Sequence, residues 1–317
     1  MVTLTLLIRE AEVNSILTFS MAYSSMREAF ELLDKKIAVN SKRIRTSVSG
    51  STLTYQSGGF KDFLGYKTFV NGSFMSVLFS KGGDILSIIE SDRLTQIRTG
   101  SLSVLASDYA IGSYGTIGII GLGKQGLAQV EAFHELRPGI TINVFTRSQD
   151  RLNSAMNFFQ RRGIKVRPVD MKTLCKESET IVTITRAKDP FLKLDYLNKG
   201  SHVNAMGSNI PEKSELYPEV VKNSAAIVVE DFEMALEEAG DLVLAKKMGM
   251  LDESKLMALS SLITGKIRIR REEGNVTLFK SVGIGLEDVA VMSALYEEAK
   301  RRGNCLELEV TGKWHRE

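Results

Sequence analysis

A glycine-rich turn between an apolar strand and a helix is the feature that most constrains the fold of this chain. The segment Gly121–Gly126 fits the pattern Gly-x-Gly-x-x-Gly, follows the apolar run Thr116–Ile120 and opens a helical pattern. Gly121 permits a tight turn, Gly123 lets the backbone approach a pyrophosphate, and Gly126 permits close helix–strand packing. The free N–H groups at such a helix start favour phosphate. The sequence therefore predicts a Rossmann-type dinucleotide-binding domain; the alternative is a glycine-rich turn in an α/β protein without a nucleotide.

Strand-like and helical segments alternate along the chain after this turn. A helical pattern covers Leu127–Leu136, and short apolar runs separated by further helical patterns follow it. These strand-like runs are Thr141–Thr146, Ile164–Pro168, Thr180–Thr185, Ser201–Met206 and Ala225–Glu230. Alternation at this spacing predicts a doubly wound parallel sheet with right-handed crossovers, the α/β class.

The chain before the turn has a different pattern. Helical spacing of apolar residues occupies Glu12–Leu33 and returns over Ser91–Ile111. The β-like runs between them are Thr52–Gln56, Tyr66–Val70, Phe74–Phe79 and Ile85–Glu90, with turns predicted at Gly58-Gly59 and Gly82-Gly83. Antiparallel strands of this kind predict a separate, smaller α+β unit. A last helix, with small and apolar residues on one face, is predicted over Leu286–Arg302.

Composition narrows the class of protein. The length of 317 residues is enough for two domains with cores, and 43% hydrophobic with 25% charged residues is typical of a globular protein. A net charge of +3 without a Lys/Arg run gives no indication of nucleic-acid binding. Two distant cysteines and three scattered histidines predict neither a disulfide framework nor a metal site. Apolar runs too short for a bilayer and the lack of a signal-peptide pattern predict a cytoplasmic protein without membrane association.

The end of the second predicted strand bears on the choice of cofactor. An NAD enzyme usually carries an acid there that accepts from the ribose 2′-OH, but Val144–Ser148 (Val-Phe-Thr-Arg-Ser) has none. Arg147, with Arg151 nearby, is suited to pair with a 2′-phosphate, and Thr146 and Ser148 flank it. The alternative is that Arg147 is an ordinary surface residue. The segment favours NADP(H) and leaves NAD(H) possible.

Several ordered blocks resemble the ornithine cyclodeaminase and μ-crystallin family. Leu94–Thr99 is similar to its Leu-Thr-x-x-Arg-Thr segment, and Ile119–Gly126 to its Gly-x-Gly-x-Gln turn. Gly207–Leu216 resembles its Gly-x-Asp-x-Pro-Gly-Lys-x-Glu-Leu loop, and Thr277–Asp288 its Phe-x-Ser-x-Gly-x-x-x-x-Asp block. Four ordered blocks over nearly the whole chain are far more specific than the glycine turn alone.

The resemblance implies a homodimer and a division into two domains. Residues 113–288 are expected to form the dinucleotide-binding domain. Residues 1–112 with 289–317 are expected to form a discontinuous domain for substrate binding and dimerisation. The resemblance also assigns cofactor contacts to residues that are otherwise ordinary polar loop residues. These are Thr99, Lys124, Gln125, Thr185, Lys213 and Ser281.

In the family, chemistry takes place at the Cα–N bond of an amino acid or its imine, so the site needs cations for the substrate carboxylate. The resemblance places three: Arg45, in a stretch like the family's Pro-x-Arg-Thr with Arg43 in place of the proline; Lys67, in a Gly-x-Lys strand; and Arg98. Each could instead be a surface cation. Lys67 differs because it lies in an alternating apolar strand, where an unpaired ammonium would be costly. We therefore expect Lys67 to be functional or paired.

Asn209 departs from the family's pattern at the position that bears most on the reaction. The family's cyclodeaminating members carry an Asp at this loop position, and an amide cannot replace it as a general base, although it can hydrogen-bond an amine or imine. Non-cyclising reductases such as μ-crystallin also lack this Asp. Asn209 could otherwise be a turn residue before Pro211, and Glu230, Asp231 or Asp288 could replace the missing acid. Asp288 could equally cap the last helix, and the acidic run around Glu230 could be a solvated helix face.

Three functions are therefore open. The first is an NAD(P)H-dependent oxidoreductase acting on a small amino acid or cyclic imino acid, with Lys67 and Asn209 as candidate catalytic residues. The second is an ornithine cyclodeaminase that recycles NAD within one turnover and releases ammonia. The third is a dinucleotide-binding protein without turnover; the presence of both Lys67 and Arg98 argues against it.

Overall fold

The computed structural model describes residues 4–269 and 275–313, which divide into two compact units. One unit takes the chain up to Arg98 and from Ile284 onward, and the other takes Thr99–Gly283. The expected boundaries after residues 112 and 288 differ from this division, and the predicted tail beyond residue 313 lies outside the described residues. Helix α3 (Asp92–Ile111) crosses the boundary after Arg98, and within the second unit Gly100 allows close packing: a Cβ there would lie 2.7 Å from the carbonyl oxygen of Ala128.

The first unit is a mostly antiparallel sheet covered by helices, and its antiparallel pairing is as the strand pattern predicts. Its elements are β1 (Thr5–Ile8), α1 (Glu10–Ile16), α2 (Phe19–Asp34), β2 (Val39–Asn40), β3 (Ile44–Val48), β4 (Ser51–Phe60), β5 (Phe63–Val70), β6 (Ser73–Ser80), β7 (Ile85–Glu90), the start of α3 (Asp92–Ile111), α11 (Gly285–Arg302) and β16 (Leu306–Leu308). The strand order is β16-β1-β7-β6-β5-β4-β2, with β3 on β4, and β1–β7 is a parallel pair. Helices α2 and α11 pack together, and α11 lies on β4 and β5.

Two expectations for this unit are wrong. Gly58 and Gly59 lie inside β4, and the hairpin turn falls at Lys61-Asp62. Glycine is needed at position 58 for packing, because a Cβ there would lie 2.8 Å from the Leu286 backbone of α11. The helix expected over residues 12–33 is two helices, and the second begins where the Thr18 hydroxyl accepts from the Met21 N–H.

The second unit is a parallel sheet with helical crossovers, which confirms the predicted α/β class. Its elements are β8 (Thr116–Ile120), α4 (Lys124–Leu136), β9 (Thr141–Phe145), α5 (Gln149–Arg161), β10 (Arg167–Pro168), α6 (Met171–Glu177), β11 (Thr180–Thr183), β12 (His202–Ala205), α7 (Pro218–Lys222), β13 (Ser224–Val229), α8 (Phe232–Glu238), α9 (Gly240–Lys247), β14 (Leu256–Ala258), α10 (Leu259–Ile263) and β15 (Val276–Lys280), with short 3₁₀ turns at Leu194–Tyr196 and Glu253–Lys255. The order is β10-β9-β8-β11-β12-β15-β13-β14, and its first five strands follow the Rossmann order 3-2-1-4-5.

The strands of the second unit differ in burial and in how well the sequence predicts them. Strands β11 and β12, which the sequence predicts, are buried along their whole length; β15 is equally buried but was not predicted from the sequence. The strand expected over residues 164–168 is reduced to two exposed residues at the sheet edge. No helix within residues 4–269 or 275–313 combines the length and hydropathy needed to cross a membrane.

Candidate active site

The glycine-rich turn has the geometry that a dinucleotide requires. Gly121 has φ +110°, a left-handed conformation that favours glycine. A Cβ at Gly126 would lie 1.8 Å from the Gly121 carbonyl oxygen, so α4 can approach β8 only with glycine there. A Cβ at Gly123 would meet no protein atom within 4 Å, and its φ of −81° is open to any residue. Protein packing therefore does not explain Gly123, the second glycine of the motif, whereas close approach of a pyrophosphate would.

The first turn of α4 adds a second sign that a ligand fits here. Lys124 is exposed at the start of this 13-residue helix, and Gln125 is half-buried. The Gln125 Oε1 atom is buried without a hydrogen-bond partner among the residues that the structure describes. An unsatisfied buried acceptor is costly, and hydroxyl or amide donors of a dinucleotide are of the kind that would satisfy it.

The other predicted cofactor contacts also follow strand ends or lie in the second unit. Thr146 and Arg147 follow β9, and the Ser148 hydroxyl caps α5 by accepting from the Arg151 N–H at 3.3 Å. Both arginines are exposed. Thr99 is nearly buried in α3, where its carbonyl accepts from Gln129 of α4.

The loop that follows β12 is held by a buried carboxylate. Glu215 accepts from the Thr183 hydroxyl at 2.8 Å, the Gly207 N–H at 3.0 Å and the Thr185 N–H at 2.6 Å. These contacts join the ends of β11 and β12. Burial raises the pKa of Glu215, and the charge of Asp241 raises it further.

A buried ion pair also supports this loop, through the backbone at its end. Asp241 accepts from the backbone N–H groups of Glu215 and Leu216, and it pairs with Lys280 of β15 at 2.9 Å. Asn209 is exposed on the loop held in this way, and Lys213 is half-buried on it. Sequence reasoning missed the pair of Asp241 and Lys280. A lysine in an apolar strand was the available signal, as it was for Lys67.

Ser281 is tied to a second buried carboxylate. Its hydroxyl donates to Glu230, which also accepts from the backbone N–H groups of Val282 and Gly283 at 3.3 Å each. Burial raises the pKa of Glu230. The expectation of a solvated acidic face is therefore wrong for Glu230, which is 4% exposed, and for Glu238, which is 8% exposed, while Asp231 caps α8. Through these hydrogen bonds, Glu230 holds the segment that follows β15 in place.

In the first unit, strand register places Lys67 in a buried polar row. Gln56 of β4 and Ser76 of β6 are its partners on the two neighbouring strands, and none of the three is more than 2% exposed. Arg45 pairs with Thr54 one step along the same face of the sheet, where it is exposed. Lys67 therefore sits on the inner face of the sheet, towards which α11 packs.

The first turn of α11 supplies two carboxylates to the predicted cations. The Lys67 Nζ donates to Asp288 Oδ1 at 2.8 Å, and Arg98 Nη1 donates to Glu287 Oε2 at 2.7 Å. Arg98 Nε lies 3.4 Å from the same Asp288 oxygen, so Asp288 joins the two cations. We call Lys67, Arg98, Glu287 and Asp288 the charge cluster. It brings together two of the three predicted cations.

Electrostatics make Lys67 a titratable group near neutral pH. Burial lowers the pKa of Lys67 from 10.5 to about 8, Asp288 opposes this fall, and the charges of Arg98 and Arg43 add to it. A lysine in this range can donate a proton at neutral pH. Sequence reasoning had no signal that Glu287 and Asp288 would face Lys67 and Arg98, because the residues are remote in sequence.

The model of the ornithine cyclodeaminase/mu-crystallin family matches residues 69–303, well over half of the sequence. This chain belongs to that family. The resemblance seen in the sequence is thereby confirmed, and the geometry described above is that of a family member. Delta(1)-pyrroline-2-carboxylate reductase from Bacillus cereus is 34% identical over 244 residues, which cover 76% of this chain and 74% of that protein.

Solved structures extend the likeness to the whole chain. A probable ornithine cyclodeaminase from Bordetella pertussis is 30% identical with a TM-score of 0.86, covering 94% of this chain and 98% of that one. Thermococcus litoralis Delta(1)-pyrroline-2-carboxylate reductase, in complex with NADH and L-proline, is 26% identical with a TM-score of 0.88, covering 96% and 100%. Family members similar to this chain therefore include a reductase with a nicotinamide dinucleotide bound.

Proposed function

We propose that this chain reduces a small cyclic imino acid with a nicotinamide dinucleotide, and that Δ1-pyrroline-2-carboxylate is the first substrate to test. The likeness to the Bacillus and Thermococcus reductases of that compound supports this choice. The glycine-rich turn supports a dinucleotide as the cofactor, because protein packing does not require glycine at position 123. The charge cluster supports a substrate with a carboxylate, because fixed cations bind such a group.

Each unit has its own part in the proposed reaction. The dinucleotide, when bound, supplies the hydride. Lys67 and Arg98 hold the substrate carboxylate, with Arg45 as the third candidate. Lys67 has three N–H donors, and Asp288 takes one of them in the structure. Reduction of the C=N bond also needs a proton at nitrogen, and Lys67 is the buried donor with a suitable pKa, about 8.

Asn209 is the observation that favours reduction over cyclodeamination. The residue lies on the loop held by Glu215, where an acid would be needed to help ammonia leave. Its amide can donate to or accept from an amine or imine but cannot take up a proton at ordinary pH. Of the acids that could replace it, Glu230 is engaged with the chain after β15 and Asp288 with Lys67. The cyclodeaminase stays the alternative function.

We propose NADP(H) as the preferred cofactor. Arg147 and Arg151 are exposed at the end of β9, and no carboxylate occurs from Val144 to Gln149 to repel a 2′-phosphate. Arginine is the side chain best suited to bind a phosphate with two hydrogen bonds. The Thermococcus relative has NADH bound, so the preference needs its own test.

We also propose that the chain acts as a homodimer through the outer face of the first unit's sheet. Large apolar side chains are exposed on this face: Ile44 57%, Val48 73%, Leu53 45%, Leu64 51% and Met75 38%. Strand register puts them all on the side away from Lys67. Light scattering should give twice 35.1 kDa, and Leu64→Lys with Met75→Lys should give monomers.

The proposed reaction is tested by ligand stabilisation and by absorbance. Thermal unfolding is measured with NADH and with NADPH, since a ligand that binds the folded state raises Tm. Nicotinamide absorbance is then followed with Δ1-pyrroline-2-carboxylate and with ornithine. Greater stabilisation by NADPH and oxidation that depends on the imine support the proposal. Ammonia release from ornithine without net change in absorbance would replace it with the cyclodeaminase.

A further inference from the structure

We infer that Asp288 is a positioning residue that keeps Lys67 charged and aims its ammonium group, so that Lys67 delivers the proton to the imine nitrogen. The inference rests on the proposed reductase function and assigns a role to the buried carboxylate that joins Lys67 and Arg98. Asp288 itself is not expected to exchange a proton or to touch the substrate.

The position of Asp288 is set by the backbone as well as by its side chain. A Cβ at Gly285 would lie 2.4 Å from the Ser57 carbonyl oxygen, so the start of α11 rests directly on β4. Gly58 makes the matching approach from the strand. Gln56, next to Ser57 on β4, pairs with Lys67 of the neighbouring strand β5. The contact between α11 and β4 therefore also sets the distance between Asp288 and Lys67. The resulting separation of Nζ and Oδ1 is 2.8 Å, and neither side chain is more than 1% exposed.

The charges around Lys67 make Asp288 decisive. Helix α11 contributes Asp288 and Glu287, α3 contributes Arg98, and the segment before β3 contributes Arg43; the neighbours on β4 and β6, Gln56 and Ser76, are neutral. The Glu287 carboxylate accepts from Arg98 at 2.7 Å and so pairs with Arg98 instead of Lys67. Without Asp288, Lys67 would therefore be left buried with two nearby guanidinium groups, an arrangement that strongly disfavours the ammonium form.

The proton step balances with the hydride. A hydride, which is a proton with two electrons, reaches the imine carbon, and the π pair of the C=N bond takes a second proton at nitrogen. That proton comes from Lys67 Nζ, so one N–H bond breaks on the lysine and one forms on the product amine. Lys67 is left neutral and regains its proton from water, while Asp288 stays ionised throughout.

The test compares Asp288→Asn with Glu287→Gln in the full chain. Both changes remove one charge from the first turn of α11, but Glu287 contacts Arg98 rather than Lys67. Two properties are measured for each variant: the pH dependence of kcat/KM with the cyclic imino acid, and the titration of Lys67 by NMR of [¹³Cε]lysine. The Lys67 signal is the one that disappears in Lys67→Met.

In the wild type, kcat/KM should fall above about pH 8 as Lys67 loses its proton. Asp288→Asn should move this fall and the Lys67 titration together to lower pH by about 1 to 3 pH units, the effect of losing an adjacent opposite charge. Glu287→Gln should move both by much less. A role of Asp288 in folding alone would lower kcat/KM without moving either midpoint.

The outcomes separate the inference from the function that it rests on. If the wild type reduces imines but Asp288→Asn leaves both midpoints in place, the inference is wrong and the function stands. If the wild type reduces none of them, the function is wrong, and an unshifted NMR titration still overturns the link between Asp288 and Lys67. If Asp288→Asn does not fold, the wild-type titration decides, because a Lys67 that is neutral at pH 7 contradicts the inference.

Discussion

The glycine-rich turn of the second unit and the charge cluster of the first unit are built from different kinds of group. The dinucleotide edge of the second unit consists of backbone: a left-handed Gly121, a Gly126 without room for a Cβ, and the N–H groups that begin α4. The charge cluster of the first unit consists of side chains, two cations and two carboxylates that are buried together. A backbone site depends on local sequence, whereas a charge cluster depends on distant residues and on pH. Substitutions in the two places should therefore have separable effects.

The largest effect is expected from Lys67→Met. Loss of a positioned proton donor and carboxylate ligand should lower kcat/KM by about 10² to 10⁴. Dinucleotide affinity should stay within about twofold of the wild type if the glycine-rich turn and the charge cluster act independently. Titration of protein fluorescence with NADPH measures this affinity. A loss of dinucleotide affinity as large as the loss of activity would contradict the separation.

A matched double variant separates chemistry from folding. Lys67→Met leaves Asp288 as a buried carboxylate without its ammonium partner, which should cost about 3 kcal/mol in the free energy of unfolding. Adding Asp288→Asn should recover most of this loss in urea unfolding, because the pair is then neutral. Activity should not return. Recovery of activity together with stability would mean that Lys67 serves the fold alone.

Arg147→Glu tests the second unit, where the arginine is proposed to bind the 2′-phosphate of NADP(H). Replacing the arginine by an acid should weaken NADPH by roughly 10- to 100-fold, the worth of a charge-assisted hydrogen bond, with a much smaller effect on NADH. Isothermal titration with each dinucleotide measures the ratio, and Arg151→Glu tests the neighbouring residue. Equal weakening of both dinucleotides would rule out recognition of the 2′-phosphate by Arg147.

The glycine turn offers a pair of variants with a smaller effect. Gly123→Ala should weaken dinucleotide binding by about tenfold without changing Tm of the free protein, because a Cβ there meets no protein atom within 4 Å. Gly126→Ala should lower both binding and Tm, because its Cβ would overlap the Gly121 carbonyl oxygen. If Gly123→Ala binds NADPH as well as the wild type, no phosphate approaches at that position.

The last effect concerns the dependence of stability on pH. The pKa of Lys67 falls from 10.5 in the unfolded chain to about 8 in the folded one. Between these values the unfolded chain holds a proton that the folded chain lacks, so this group makes the free energy of unfolding rise with pH across that window. The difference between wild type and Lys67→Met in urea unfolding should therefore shift in favour of the wild type from pH 8 to 10.5. A shift the other way would mean that Asp288 holds the Lys67 pKa above its ordinary value.

Much of the fold follows from local pattern. The sequence predicts β8 and β7 with the bounds that the structure has, because both are apolar and bounded by turn residues. It fails at Gly58 and Gly59, where glycine serves contact with α11 and not a turn. It also missed β15 as a strand, although that strand lies between β12 and β13 in the sheet. Contacts between remote elements are not visible in a local pattern.

The site divides in the same way. Turn residues Gly121 to Gly126 can be identified from sequence because one short segment carries their whole geometry. Lys67 stood out as a cation in an apolar strand, but Asp288 is 221 residues away and was open to several interpretations. Glu215 and Asp241 were missed as supports of the Asn209 loop, since several of their partners are backbone groups and none can be identified from local sequence.

The most direct test of the account is the stoichiometry of one reaction. Purified protein is given NADPH and a cyclic imino acid, and NADPH consumed, amino acid formed and ammonia released are measured in the same sample. The account predicts one NADPH oxidised for each amino acid formed, no ammonia, and turnover by Lys67→Met lowered by about 10² to 10⁴ while it still binds NADPH. Ammonia released from ornithine with no net change in nicotinamide absorbance would contradict it.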